Sequence, residues 1–271
     1  TWGTTGIWEE LFPQFKAAGY EGVETAPPDS GDRARLTELL DQHEFTLILQ
    51  IASRGKTIAE HLDTFERNLH SACACSPRLI NAHSGSDSWT ERESEQFFSR
   101  ALELEAACGT PVVHETHRSR ILYNPWVTSR MLNRFPALKL CCDYSHWVCV
   151  SESLLEDHQG IIRQCAERCH HLHARIGHEQ GPQVSDPAAP EYARHLSAHE
   201  AWWHMIWDVQ MRRGDTVSTL VPEFGPPPYA PTFPGTLKPL RDVTEVCDWM
   251  AARQADRFLQ FTISTGVATK A

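Results

Sequence analysis

The chain has 271 residues, enough for one large hydrophobic core, and its 41% hydrophobic and 22% charged content excludes a mainly disordered polypeptide. A formal charge of −10 argues against a nucleic-acid or anionic-membrane surface, and no apolar run approaches the length of a membrane span. Nine cysteines, an odd number in a large chain without an evident signal peptide, read as reduced thiols of a cytoplasmic protein.

Thr1 to Gly6 reads as a loop entering a helix over about Ile7 to Ala18, which Gly19 ends. A strand over Tyr20 to Thr25, a helix over Arg33 to His43 and the apolar strand Phe45 to Ile51 begin a regular alternation. It continues with a helix over Thr57 to Cys75, a strand over Leu79 to Ala82 and a long helix over Thr90 to Cys108, ended by Gly109. Next come a strand over Pro111 to Val113, a helix over Pro125 to Phe135, a strand over Leu138 to Cys142 and a helix over Glu152 to Arg168. The strand His170 to Ala174 precedes a Gly- and Pro-rich loop, 177–190, too long for a mere connector. A Trp-rich helix over Glu191 to Arg213, a strand over Val217 to Val221, a second long loop over 225–239 and a helix over Val243 to Phe258 complete the order. The tail 260–271 has no assigned role.

Strands alternating with helices over this length predict a single (β/α)8 TIM barrel spanning 1–271. Seven strands are visible, so the first is expected to be truncated or missing before Thr1. Cys141, Cys142 and Cys149 are expected to pack as small hydrophobes. Cys73-Ala74-Cys75 and the Cys165/Cys169 pair lack the paired CxxC spacing of a structural zinc site.

Acids and imidazoles stand where the apolar strands stop: His114-Glu115-Thr116-His117, Asp143-Tyr144-Ser145-His146, His171-Leu172-His173 and Pro222-Glu223-Phe224-Gly225. In a barrel those ends share one mouth. Three carboxylates aimed at one point repel by about 4 kcal/mol per pair at about 4 Å and an effective dielectric of about 20, which a divalent cation relieves. Glu115, Asp143, His173 and Glu223 are therefore the expected ligands of Mn²⁺, with Mg²⁺, Co²⁺, Fe²⁺ or Zn²⁺ as alternatives. Taken singly, such an acid is more often a solvated loop residue or a cap than a ligand.

These motifs, in this order, resemble the xylose isomerase-like TIM-barrel superfamily of sugar isomerases and epimerases, which also includes inosose dehydratases and endonuclease IV-type nucleases. The likeness runs from Trp2 to about Phe258 and is most specific in Asp143-x-x-His146, in His171-x-His173 and in the lone glutamates of the flanking strand ends. It implies the same four metal ligands, with His146 beside them or on the substrate, and His83 of Asn81-Ala82-His83-Ser84-Gly85 facing the pocket. Many relatives carry Lys-Asp after the His-x-His strand, where this chain has Arg175-Ile176.

The implied reaction removes a proton next to a carbonyl and returns one through an enediolate, with Glu115 and Glu223 as acid and base and His146 polarising the carbonyl. His83, Arg175, His117 and Trp147 are the expected substrate contacts on an unphosphorylated, small carbohydrate-like ligand. The same chemistry with a leaving group at the β carbon makes a dehydratase or lyase the runner-up. A non-catalytic binding barrel is a further alternative. The nuclease reading is disfavoured, because the strand end Val23-Glu24-Thr25 offers no histidine and the chain is acidic. Trp2, Trp89 and the Trp202, Trp203, Trp207 group offer apolar faces. If exposed, the last group predicts a homo-oligomer, although such spacing on one helix is more often core. The sugar, the carbon acted on and the metal are not specified by these residues.

Overall fold

The computed structural model describes residues 2–266. In chain order it contains α1 (Trp8–Ala17), β1 (Gly22–Thr25), α2 (Arg33–His43), β2 (Thr46–Ala52), α3 (Ile58–Cys73), β3 (Leu79–His83), α4 (Glu91–Cys108) and β4 (Val112–Glu115). Then follow α5 (Pro125–Arg134), β5 (Leu140–Cys142), α6 (Ser145–Ser151), α7 (Gln159–Ala166), β6 (Cys169–His173), α8 (Ala193–Arg213), β7 (Leu220–Val221) and α9 (Val243–Thr265). The strands pair in chain order, β1 to β7, and every pair is parallel. This is a nearly closed TIM barrel holding seven of the fold's eight strands, open between β7 and β1.

Side chains alternate across each strand, and the two faces carry different chemistry. Leu49, Ile80, Val112, Leu140 and Leu172 belong to the large buried cluster that includes helix residues such as Phe65, Phe97 and Trp203. The other face forms a separate apolar layer of Ile48, Leu79, Val113 and Cys141. Two residues further along the same strands stand Gln50, Asn81, Glu115 and Asp143. The interior thus turns from apolar to polar toward the C-terminal strand ends.

Side-chain caps fix several helix starts, each worth about 1 kcal/mol. Thr90 and Glu93 form a capping box, and Thr57, Asn124 and Asp242 accept from N–H groups of the first turns.

Several expectations are corrected. The helix read over 152–168 is shorter: α6 ends at Ser151, before that range, and only α7 lies within it; the Ser145 N–H at the start of α6 bonds to Asp143 Oδ1, and Glu152 and Leu155 adopt left-handed backbone (φ 46° and 58°) between the two helices. The strand read from Val217 begins only at Leu220. Helix α9 runs past Phe258 to Thr265 and buries Phe261 and Thr262, giving the first part of the tail a packing role; 267–271 lie outside the described residues. Trp202, Trp203 and Trp207 are buried, Trp207 meeting Phe258 and Phe261 of α9, so the ground for a homo-oligomer through an exposed aromatic face is removed. The thiols are not all reduced: Cys73 and Cys108 form a disulfide joining the ends of α3 and α4. Sequence spacing did not reveal this pairing, since the two cysteines meet only when the helices pack side by side. No described helix is long and apolar enough to cross a membrane.

Candidate active site

The polar layer at the strand ends brings one ligand atom each from Glu115, Asp143, His173 and Glu223 within 4.8 Å of one another. Glu115 is the last residue of β4, Asp143 follows β5, His173 ends β6 and Glu223 follows β7. Glu223 has φ 56°, a left-handed conformation that costs a non-glycine residue roughly 1 kcal/mol. Gly225 just beyond it is held by Gln183, whose amide accepts from Gly225 N (2.8 Å) and donates to Gly225 O (3.0 Å). A Cβ at Gly225 would lie 2.0 Å from the Trp2 ring, so the segment after β7 is clasped between the loop after β6 and the N-terminal loop.

The contacts of each acid differ. Glu115 Oε2 accepts from Asn81 Nδ2 and lies against His83 Nε2, both at 2.8 Å, while Oε1 is buried without a hydrogen-bond partner. Asp143 Oδ1 accepts from the Ser145 N–H (3.0 Å) and hydroxyl (2.5 Å), and Oδ2 accepts from Arg175 Nη2. His173 Nδ1 stands 2.7 Å from Glu223 Oε2, yet neither atom has hydrogen-bond geometry to any partner. Buried donor atoms crowded together without hydrogen bonds are what a cation would join, and three carboxylates with one imidazole suit a divalent ion that prefers oxygen and nitrogen.

Glu24 completes this arrangement from β1. Its Oε2 lies 2.9 Å from His173 Nε2 and 3.3 Å from His171 Nε2, and its Oε1 accepts from Asn81 Nδ2 (3.2 Å). A carboxylate can only accept, so His173 presents N–H toward Glu24 and turns Nδ1 toward the other acids. Glu24 is not among the expected site residues, since the strand end Val23-Glu24-Thr25 carries no histidine; its signal in the sequence is an acid at a strand end like the others.

Charge is balanced tightly. Burial opposes ionisation of Glu24, Glu115 and Glu223, but His173 with its neighbours outweighs it and holds all three below the ordinary carboxylate range. Burial likewise opposes a charge on His173, yet Cys141 and the carboxylates of Glu223, Glu24 and Glu115 hold its pKa well above the usual imidazole value. Burial pushes Asp143 up to about 7, with Arg175 pulling it down and Glu223 and Glu115 pushing it up.

Three imidazoles line one side: His83 and His117 ring centres are 4.6 Å apart, His117 and His146 3.9 Å. Burial lowers His117 to about 3 and His146 well below its usual value, so both are neutral. Arg175 Nη2 lies 2.6 Å from His146 Nε2; because arginine only donates, Nε2 accepts and the ring proton sits on Nδ1, a buried atom without a partner. His117 Nδ1 meets the Arg118 carbonyl and therefore carries its proton, leaving Nε2 as an acceptor.

Two expected substrate contacts are engaged by the protein itself. Trp147 is fully buried, its indole donating to Leu122 O (2.9 Å) and packing on Tyr144, so it is a core residue. Arg175 is 1% exposed and engaged by Asp143, Ser145 and His146 beneath the Tyr229 ring, so its guanidinium organises the acids and is not free to hold a substrate oxygen.

A constellation of acids and imidazoles at the C-terminal mouth of a parallel barrel is where a barrel enzyme carries its chemistry. The family model for the xylose isomerase-like TIM barrel matches residues 12–204, and the chain belongs to that family. The probable 3-DHS dehydratase AsbF of Bacillus anthracis is similar in structure (TM-score 0.61, 14% identity, covering 93% of this chain and 94% of that one). So are the 3-keto-D-glucoside 4-epimerase YcjR of E. coli (TM-score 0.60, 12% identity, 94% and 98%) and a xylose isomerase-like TIM barrel protein of Mycobacterium smegmatis in complex with magnesium (TM-score 0.62, 10% identity, 96% and 89%). At such identities the likeness is one of fold. Among curated proteins none matches the chain significantly.

Proposed function

We propose that the protein is a divalent-metal-dependent isomerase or epimerase acting through an enediolate on a ketose or related polyol. The observation that carries this reading is the convergence of Glu115, Asp143, His173 and Glu223, with buried donor atoms of Glu115, His173 and Glu223 lacking hydrogen-bond partners. These four would hold the ion, Mn²⁺ being our choice among Mn²⁺, Mg²⁺, Co²⁺, Fe²⁺ and Zn²⁺. When bound, the ion neutralises negative charge developing on the two oxygens of the enediolate.

The chain's own groups supply the proton movements. Glu115 and Glu223 enter the same volume from β4 and from beyond β7; one removes the proton next to the carbonyl and the other returns a proton to the neighbouring or same carbon. Neutral His146 donates from Nδ1 to the carbonyl oxygen, and His117 Nε2 accepts from a substrate hydroxyl. His83 holds Glu115 and faces His117. A second reading, elimination from a keto-sugar, uses the same two acids: one glutamate removes the proton next to the carbonyl, the other, protonated, gives its proton to the hydroxyl at the β carbon, which departs as water, and the neutral His117 and His146 rings in contact beside them hold the substrate oxygens.

Incubation with Mn²⁺ and a panel of ketoses and 3-oxo-sugars in D₂O tests the proposal. NMR is expected to show deuterium entering next to a carbonyl, with an epimer or isomer as product; an alkene would assign the elimination instead. Glu223→Gln is expected to fold normally and lose turnover. Wild-type protein that binds Mn²⁺ but exchanges no proton with any ligand would refute the catalytic reading.

A further inference from the structure

Half-buried Arg253 and Arg257 and fully buried Arg175 are paired with carboxylates, while half-buried Arg33 and Arg168 form no salt bridge among the described residues, Arg33 donating to Ser71 Oγ (3.3 Å) instead. Arg118 and Arg120 stand on the loop that follows Glu115. Among the described residues neither forms a salt bridge, although both are half-buried in a chain of net charge −10. Arg120 reaches the ends of two strands, Nη1 lying 3.3 Å from Ser53 O beyond β2 and 3.4 Å from Gly85 O beyond β3, while its Nε is buried without a partner. Arg118 lies over Tyr229, its guanidinium carbon 5.1 Å from the ring centre; Arg175 lies 4.9 Å from the same ring. Both arginines, neither of them ion-paired, therefore stand at the same mouth as the acids. Burial and then Arg54 depress the Arg120 pKa while Glu115, Asp87 and Tyr229 oppose them, so Arg54 adds positive potential and the Glu115 and Asp87 carboxylates act on Arg120 at a distance without pairing with it.

We propose that Arg118 and Arg120 form an oxyanion subsite at the barrel mouth, so that the substrate is a polyhydroxy keto acid whose carboxylate is gripped there while its carbonyl end meets the four-ligand cluster. A partly desolvated guanidinium without an anion is costly, and a carboxylate matches its planar fork with two charge-assisted hydrogen bonds; a neutral polyol offers hydroxyls but no compensating charge. Carboxylate is preferred over phosphate because the helix start nearest in sequence to these arginines offers no free cradle of backbone N–H groups. At α5 the Val127 N–H is already bonded to Asn124 Oδ1 (2.8 Å), and Pro125 has none.

The assignment rests on the proposed function for the carbonyl chemistry but is tested by binding alone. Isothermal titration of D-gluconate, D-galactonate and D-mannonate, their matched amides, and D-glucitol 6-phosphate would be run on wild type, Arg118→Gln, Arg120→Gln and the distant control Arg194→Gln. At least one acid is expected to bind wild type and Arg194→Gln about tenfold or more tighter than its amide, the scale of one charge-assisted hydrogen bond. That preference is expected to fall to about threefold or less in each mouth variant and to weaken with added salt. Should Arg120→Gln fail to fold, Arg118→Gln and Arg120→Lys carry the test. No acid binding more tightly than its amide, a preference that survives both substitutions, or tighter binding of the phosphate than of every acid would overturn the proposal. Mn²⁺ titration of the same samples scores the metal reading separately. Acid selectivity without Mn²⁺ binding would leave the subsite standing and remove the proposed function, and the reverse would do the opposite.

Discussion

Glu24→Gln isolates the role of a buried group that touches no proposed substrate atom. The Glu24 side chain is 7% exposed and serves both His173 and His171 through one oxygen and Asn81 through the other. Glutamine keeps the volume but replaces one acceptor with an NH₂ donor. If its oxygen faces His173, its NH₂ abuts the Asn81 NH₂; if it flips, its NH₂ faces Nε2, which must then accept, moving the ring proton to Nδ1 where the metal is proposed to bind. Either way the site starts from the wrong hydrogen-bond pattern. Partners of this kind are worth 10- to 100-fold in metal affinity, roughly 1.4 to 2.7 kcal/mol. Mn²⁺ titration followed by the EPR signal of the free aquo ion is expected to show a dissociation constant raised by that factor, with the circular dichroism spectrum unchanged. Affinity within about twofold of wild type would refute the claim that Glu24 sets the His173 tautomer, even if the variant were less stable.

Two other outcomes are expected. Saturating Mn²⁺ at about one hundred times its dissociation constant is expected to stabilise the fold by about 2.7 kcal/mol, raising the melting temperature by roughly 5 to 10 °C, and chelation is expected to reverse this; an unchanged melting curve would count against a preformed site. His199, fully buried on α8, donates from Nδ1 to His195 O (2.8 Å) and accepts the Gly177 N–H at Nε2 (3.3 Å), an arrangement only a neutral ring can make. Burial holds its folded pKa near about 4, below the unfolded value of about 6.5, so the unfolded chain binds more protons between those values and stability is lost as pH falls from about 6.5 toward 4. The loss attributable to His199 has an upper bound of about 3 kcal/mol, and denaturant titrations at pH 7 and pH 4.5 are expected to differ less in His199→Gln than in wild type. An equal pH dependence in the two proteins would discard this account.

Read alone, the sequence determined the barrel and the strand ends that matter. Phe45 to Ile51 or Leu138 to Cys142 is too apolar for anything but a buried strand, and an acid placed where such a run stops has nowhere to point but the mouth. Hence Glu115, Asp143, His173 and Glu223 were legible as a group, and the structure brings them together. What tertiary structure decided were contacts whose partners lie far apart in the chain. Glu24 reaches His173 across 149 positions because β1 and β6 face one another through the barrel interior. Arg175 is taken by Asp143, and Trp147 turns into the core, since a helix beginning at Ser145 sends neighbouring side chains in different directions. The Cys73–Cys108 bond and the burial of Trp207 under α9 depend on how helices pack. Local pattern fixes which groups stand at a strand end; side-chain direction and inter-element packing, which only the closed barrel sets, fix what each one touches.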